Sequence, residues 1–281
     1  MASICRVLDA AGIAYTGVGQ TPEEAAKPYI FECDGKKIGV YACAEHEFSI
    51  VTEYTAGANP IDLLETPDHI AALKAECDYV IVLYHGGKEY YRYPSPNLQK
   101  VCRKLVEKGA DLVVCQHSHC IGCEERIRGG TIVYGQGNFL FDDCDNEFWQ
   151  TRLLIQIRDG FTIDYIPLLK HGNKVRLAVA KDAETIMNGF RQRTNDIMRD
   201  EFIGEKYREF SQQSLPGYLR VMFGKKPGII VRIVNKFSGY RYLDWLMKRR
   251  YSATKLLPIL NYMECEAHRG LQIFAVKDRL R

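Results

Sequence analysis

Three of the seven histidines in this chain follow directly on apolar runs of strand length. His85 comes straight after Tyr79–Tyr84 and opens His85-Gly86-Gly87, with Glu89 close behind. His117 and His119 sit in Gln116-His117-Ser118-His119, immediately after Leu112–Cys115. A third run, Thr131–Tyr134, leads into Gly135-Gln136-Gly137-Asn138, and a fourth, Ile38–Cys43, into Glu45-His46-Glu47. Imidazoles and carboxylates are the ligands that Zn, Mn or Fe sites use, and loops at neighbouring strand ends let them converge. His46 and His69, each alone, read as hydrogen-bonded loop residues. Cys120-x-x-Cys123 would need a second pair at similar spacing to be a zinc ribbon, and none is present. A G-x-S-x-G elbow, a Walker loop and a Rossmann fingerprint are all missing, which leaves serine-hydrolase, P-loop and dinucleotide chemistry without support.

The elements that must position these residues alternate. Strand-like runs at Tyr29–Cys33, Ile38–Cys43, Tyr79–Tyr84, Leu112–Cys115 and Thr131–Tyr134 are interleaved with helical stretches near Pro67–Glu76 and Pro96–Lys108. That order predicts an α/β fold with a largely parallel sheet, whose ligands bind beyond the carboxyl ends of the strands. Asp34-Gly35 predicts a tight hairpin, and Arg158-Asp159-Gly160 another between Leu153–Ile157 and Phe161–Ile166. After Lys170 helical segments take over, at Ala183–Phe210, Ile229–Asn235, Tyr242–Arg249 and Leu256–Lys277. Two regions follow: an α/β domain over 1–170 and a basic helical region over 171–281.

Charge divides in the same place. Residues 1–169 carry 15 Lys and Arg against 24 Asp and Glu, a net of −9, whereas residues 170–281 carry 23 against 11, a net of +12. Lys225-Lys226 and Lys248-Arg249-Arg250 lie beside Phe223 and Tyr251, which suits contact with an anionic membrane surface or an anionic polymer. Nucleic acid is not expected as a partner, because no DNA- or RNA-reading motif accompanies the charge. Cys265-Glu266-Ala267-His268-Arg269 reads as a solvated helical stretch. The ten cysteines, several of them in apolar runs, read as reduced thiols, and the start lacks the basic and apolar regions of a secretory signal. With no run approaching membrane-spanning length, the expected location is the cytoplasm.

Val80–Asp142 resembles the core of the CapA, or PgsA, capsule-synthesis family, which has a calcineurin-like metallophosphoesterase fold and is linked to poly-γ-glutamate or capsule synthesis. His85, Gly87, Glu89 and Tyr90 match its first element, with Gly86 where the family has Trp. Pro94, Ser95 and Gln99 fit the second. Gly109-Ala110-Asp111 with His117 and His119 matches the third, and Gly137-Asn138-Phe139 with Phe141-Asp142 the last. The resemblance implies a metallophosphoesterase-like α/β sandwich with a divalent metal held by His85, His117 and His119. Glu89 or Asn138 would orient the substrate or a metal-bound water. It further implies a hydrolase or transferase acting on a phospho- or glutamyl-containing envelope substrate, or, alternatively, a non-catalytic scaffold of a capsule-polymer synthesis complex working with other capsule-synthesis proteins. The family's early Gly-Asp, Asn-Leu-Glu and Asn-His-x-x-Asp elements have no counterpart here, so the fold is expected to be N-terminally truncated, its metal set incomplete and one sheet edge exposed.

Overall fold

The computed structural model describes residues 2–46, 49–140, 146–223, 229–239 and 241–264. Two compact units divide the chain, Met1–Tyr207 and Arg208–Arg281.

The first unit opens with α1 (Ala2–Ala10), β1 (Val18–Gly19) and α2 (Pro22–Ala25), the last capped by the Thr21 hydroxyl, which accepts from the Glu24 amide. The hairpin of β2 (Tyr29–Cys33) and β3 (Lys36–Ala44) follows. Asp34 and Gly35 turn it with φ of 50° and 71°, the left-handed pair that a tight turn between twisted strands requires. After β4 (Gly57–Ala58) and α3 (Thr66–Glu76) come β5 (Tyr79–His85), α4 (Pro96–Glu107), β6 (Leu112–Cys115), β7 (Glu124–Ile127) and β8 (Gly130–Val133).

The main sheet has the order β2-β3-β5-β6-β8-β7. Its four inner strands β3, β5, β6 and β8 run parallel, and the edges β2 and β7 are antiparallel to their neighbours. Parallel strands buried on both faces are expected to be continuous apolar runs, and Val80, Val82, Val113, Val114, Ile132 and Val133 supply them. Tyr29, Ile30 and Phe31 of the edge strand β2 are exposed.

Asp111, from the Gly-Ala-Asp stretch, sets the register. Its carboxylate accepts from the Val80 amide at 2.7 Å and from Lys74 Nζ at 2.8 Å, while its own carbonyl accepts from the Thr131 amide. One residue thus aligns the starts of β5, β6 and β8, through its carboxylate and its carbonyl. Ser95 and Gln99 are structural too. The Ser95 hydroxyl caps α4 by accepting from the Leu98 amide at 3.0 Å, and Gln99 donates to Glu125 at 3.4 Å.

One face of the sheet packs against α3 and α4 through Ile70, Leu73, Leu98, Cys102 and Leu105. The other face packs through Leu112, Val114 and Val133 against Ile155, Ile157, Ile163 and Tyr165. Those residues belong to a second sheet, β9 (Thr151–Ile157), β10 (Ile163–His171) and β11 (Lys174–Leu177), in the order β11-β10-β9. α5 (Ala180–Asp196) adds Ile186 and Phe190 to a smaller core with Leu153 and Ile121. The packing boundary at Tyr207 therefore lies beyond the change of charge at 170, and β11 and α5 are part of the sheet-containing unit.

The helix expected over Ala183–Phe210 is instead two, α5 and α6 (Phe202–Phe223), interrupted before Phe202, where Glu201 adopts φ 64°. The second unit contains α7 (Ile229–Phe237), α8 (Arg241–Arg250) and α9 (Ala253–Glu264). Among the described residues no helix is long and apolar enough to cross a membrane. Lys225-Lys226 and Cys265–Arg269 lie outside the described residues.

Candidate active site

His85 ends β5, and His117 and His119 follow β6, its hydrogen-bonded neighbour. The His85 and His117 rings stand 4.7 Å apart between centroids, and those of His117 and His119 6.1 Å. His119 Nδ1 donates to Asn138 Oδ1 at 2.7 Å, which makes Nε2 the lone-pair nitrogen of that ring. That nitrogen lies 3.9 Å from Glu89 Oε1. The five residues singled out from the sequence thus come together at one end of the sheet, on loops from three strands.

The loops are tied to one another by main-chain hydrogen bonds. The Tyr90 amide donates to Ser118 O at 2.9 Å, which fixes the Glu89 loop on the histidine loop. Arg92 reinforces the tie by donating to Ile121 O at 3.1 Å, with its guanidinium over the Phe148 ring. Gly122 N donates to Gly135 O at 2.9 Å and brings in the segment that carries Asn138. Within the histidine loop the Ser118 amide donates to the Gln116 carbonyl, so the chain reverses at His117.

Tyr90, His117 and His119 all have left-handed backbones, with φ of 60°, 32° and 57°. Non-glycine residues in that region are uncommon and concentrate where function holds the chain in place, at a cost of order 1–3 kcal/mol each. Gly135, with φ 119°, makes the close approach to this loop: a β-carbon there would lie 2.6 Å from Cys120 O and 2.7 Å from Ser118 Oγ. Gly135→Ala should therefore destabilise by about 3 kcal/mol, strain and overlap together. Gly129→Ala, at φ 86° with open space around it, should lose only about 1 kcal/mol. Urea denaturation of the two variants checks this, and equal losses would mean that the contact with the histidine loop carries no weight.

Some contributors were not visible in the sequence. Trp149 lies 6.1 Å from the His119 ring and Tyr90 lies 6.2 Å from it, forming an aromatic wall. Arg152 is 1% exposed and donates from Nε to Asn138 O at 2.5 Å and from Nη2 to Trp149 O at 2.7 Å. It thus holds the main chain of Asn138 and Trp149, two of the residues around His119. Its Nη1 and Asn138 Nδ2 have no hydrogen-bond partner among the described residues, and burial holds the guanidinium below its ordinary pKa. Its side chain binds main-chain carbonyls, which no motif records.

On the far side of His85, Glu45 and Gln116 line a cleft of about 430 Å³ with Leu83 and Ala44. Glu45 N donates to His85 O at 2.9 Å, so the acid flagged after β3 borders the same strand end. His69 is elsewhere, bonded through Nδ1 to Tyr41 Oη at 3.0 Å. Cys120 and Cys123 are fully buried, and desolvation raises both thiols above their ordinary pKa. Among the described residues no three His, Cys, Asp or Glu side chains form a ready cage for a metal ion. The donor chemistry nevertheless suits one, because His119 carries the arrangement in which the second ring nitrogen is anchored by a side-chain oxygen.

Residues 1–143, which hold every one of these site residues except Trp149 and Arg152, match the family described as "Bacterial capsule synthesis protein PGA_cap". The chain belongs to that family. Capsule biosynthesis protein CapA of Bacillus anthracis is 30% identical over 137 residues, 47% of this chain and 33% of that protein. PGA biosynthesis protein CapA of Bacillus subtilis (strain 168) is 34% identical over 88 residues, 31% of this chain and 23% of that one. The chain thus spans a third or less of the curated relatives it matches. Among solved structures, a putative 5′-nucleotidase from Staphylococcus aureus superposes with a TM-score of 0.34 at 11% identity, over 64% of this chain and 36% of that chain. A likeness that shallow says nothing about activity. Within the family match, Ser95, Gln99 and Asp111 build the scaffold, while His85, Glu89, His117, His119 and Asn138 gather at the strand ends.

Proposed function

We propose that this chain is a divalent-metal-dependent hydrolase or transferase of capsule-polymer synthesis, acting on a phospho- or glutamyl-containing envelope substrate at the ends of β5, β6 and β8. The observation that carries this reading is the file of three imidazoles from two adjacent parallel strands, with His119 oriented by Asn138. His85, His117 and His119 would hold Zn, Mn or Fe. A divalent ion bound there supplies a Lewis acid and lowers the pKa of a coordinated water.

The chain's own residues do the rest. Asn138 Oδ1 keeps the His119 proton on Nδ1. Glu89 Oε1, beside His119 Nε2, is placed to accept a proton from the attacking group or to orient it. Trp149 and Tyr90 shield His119 from bulk water. The eight described cysteines are free and six of them are buried, which suits a reducing cytoplasm.

Titration calorimetry with Zn and Mn, alongside hydrolysis assays on a phosphate monoester and on poly-γ-glutamate, tests the proposal. His117→Ala should abolish turnover and weaken metal binding at least tenfold. Asn138→Ala, which removes only the anchor of His119, should weaken binding about 10- to 100-fold. Metal binding that is unchanged in both variants would place the ligands elsewhere and overturn this reading.

A further inference from the structure

Four apolar side chains of α7 are exposed and lie on the side away from Asn235. At about 100° per residue, Ile229, Ile233, Phe237 and Val234 fall within one sector of roughly 140°. All four are exposed, Phe237 at 87% and Ile229 at 75%. The opposite side carries Asn235, which is buried and accepts from the Leu243 amide of α8 at 2.9 Å. Ser238 adds a second tie, its hydroxyl accepting from the Tyr242 amide at 3.1 Å. Asn235 and Ser238 thus tie α7 to α8 through polar caps, while Ile229, Ile233, Val234 and Phe237 stay exposed.

α8 shows the complementary chemistry. Arg241, Trp245 and Arg249 recur every fourth residue along its outer side, with the Arg249 guanidinium 5.3 Å from the Trp245 ring centre and Tyr242 stacked on that ring. Met247 faces inward and is buried. Arg232, Lys236, Arg241, Lys248, Arg249 and Arg250 are exposed, and among the described residues none has an acidic partner. Arg232 and Lys236 border the apolar sector of α7 on one side.

An exposed apolar stripe, a rim of unneutralised cations and an amphipathic tryptophan are together the chemistry of a helix that lies in a membrane interface. We infer that the α7–α8 hairpin is an interfacial anchor for anionic lipid, with Ile229, Ile233 and Phe237 entering the acyl boundary and Lys248, Arg249 and Arg250 pairing with headgroup phosphates. A soluble polyanion would use the cations and leave the apolar stripe in water. A second copy of the chain would cover the stripe but would set six cations against six. Only an anionic bilayer satisfies both features.

Flotation of the full chain with vesicles of phosphatidylcholine containing 30% phosphatidylglycerol, and with pure phosphatidylcholine, tests this. Binding is expected to the first alone, with a blue shift of tryptophan emission that disappears in Trp245→Phe. Replacing Lys248, Arg249 and Arg250 by Ala should weaken binding roughly 100-fold, about fivefold for each cation. Phe237→Glu, at a fully solvated position that leaves circular dichroism unchanged, should weaken it at least tenfold. Failure of the folded wild-type chain to float with anionic vesicles would overturn the inference. So would binding indifferent to Phe237→Glu, which is adsorption by charge alone, or a dimer that Phe237→Glu dissociates.

Discussion

Arg152→Lys should destabilise the protein more than Arg152→Met, although lysine keeps the charge. The guanidinium reaches two carbonyls in different directions, Asn138 O and Trp149 O, and is desolvated with no carboxylate beside it among the described residues. Methionine loses both charge-assisted bonds, worth about 1.5–3 kcal/mol each, but also relieves a buried cation whose desolvation costs several kcal/mol. A net loss of about 2 kcal/mol follows. An ammonium serves one carbonyl only and is more strongly hydrated than a guanidinium, so the lysine variant should lose about 4 kcal/mol. Burial also lowers the pKa of that lysine in the folded state. Between its folded and unfolded pKa values the unfolded chain binds more protons, so the stability of Arg152→Lys should rise with pH while that of Arg152→Met does not. Urea denaturation at pH 7 and pH 9.5 checks both points. A lysine variant as stable as the wild type at pH 7 would show that the two carbonyls do not need the fork.

Glu125→Ala should cost about 3 kcal/mol, through a network remote from the histidines. Glu125 is 6% exposed; Oε1 accepts from Arg103 Nε at 2.8 Å and Nη2 at 2.6 Å, and Oε2 accepts from Tyr134 Oη at 2.7 Å. Breaking a buried pair costs about 3–5 kcal/mol when the partner charge is trapped. Arg103 is 44% exposed and can turn to water, which puts the loss at the low end of that range. The Tyr134 hydroxyl cannot turn away, since Tyr134 is buried. Adding Tyr134→Phe to Glu125→Ala should therefore recover about 1 kcal/mol relative to the sum of the two single losses. Strict additivity in that cycle would mean that the hydroxyl is satisfied without Glu125.

The same acids explain why part of the fold was hard to read. Glu124-Glu125-Arg126 carries no strand pattern in the sequence, yet it opens β7, with both glutamates buried. Glu124 is satisfied by the Tyr165 hydroxyl and by the nearby Arg126, and Glu125 by Arg103 and Tyr134; Tyr165 and Arg103 lie too far along the chain for a local pattern to reveal them. β11 was missed for the opposite reason. Three of its four residues are exposed, and its Lys-Val-Arg-Leu alternation is too short to stand out beside the basic helical stretch that follows. The inner strands were legible because strands covered on both faces must be apolar throughout. Their order then placed His85, His117 and Asn138 at neighbouring ends before any geometry was known. The break between α5 and α6 carries neither glycine nor proline and gave no local signal.

The parallel arrangement also decides how the site can be lost. β6 is hydrogen-bonded on one side to β5 and on the other to β8, and the candidate site residues His85, Glu89, His117, His119 and Asn138 follow these three strands. Amides of Val113 and Val114 should then exchange with deuterium only when the whole unit opens, since no smaller fluctuation uncovers a strand paired on both sides. Mild heat or denaturant should leave the histidine cluster intact in the surviving molecules while thinning their number. Loss of the site is all-or-none per molecule, and partial inactivation measures a population.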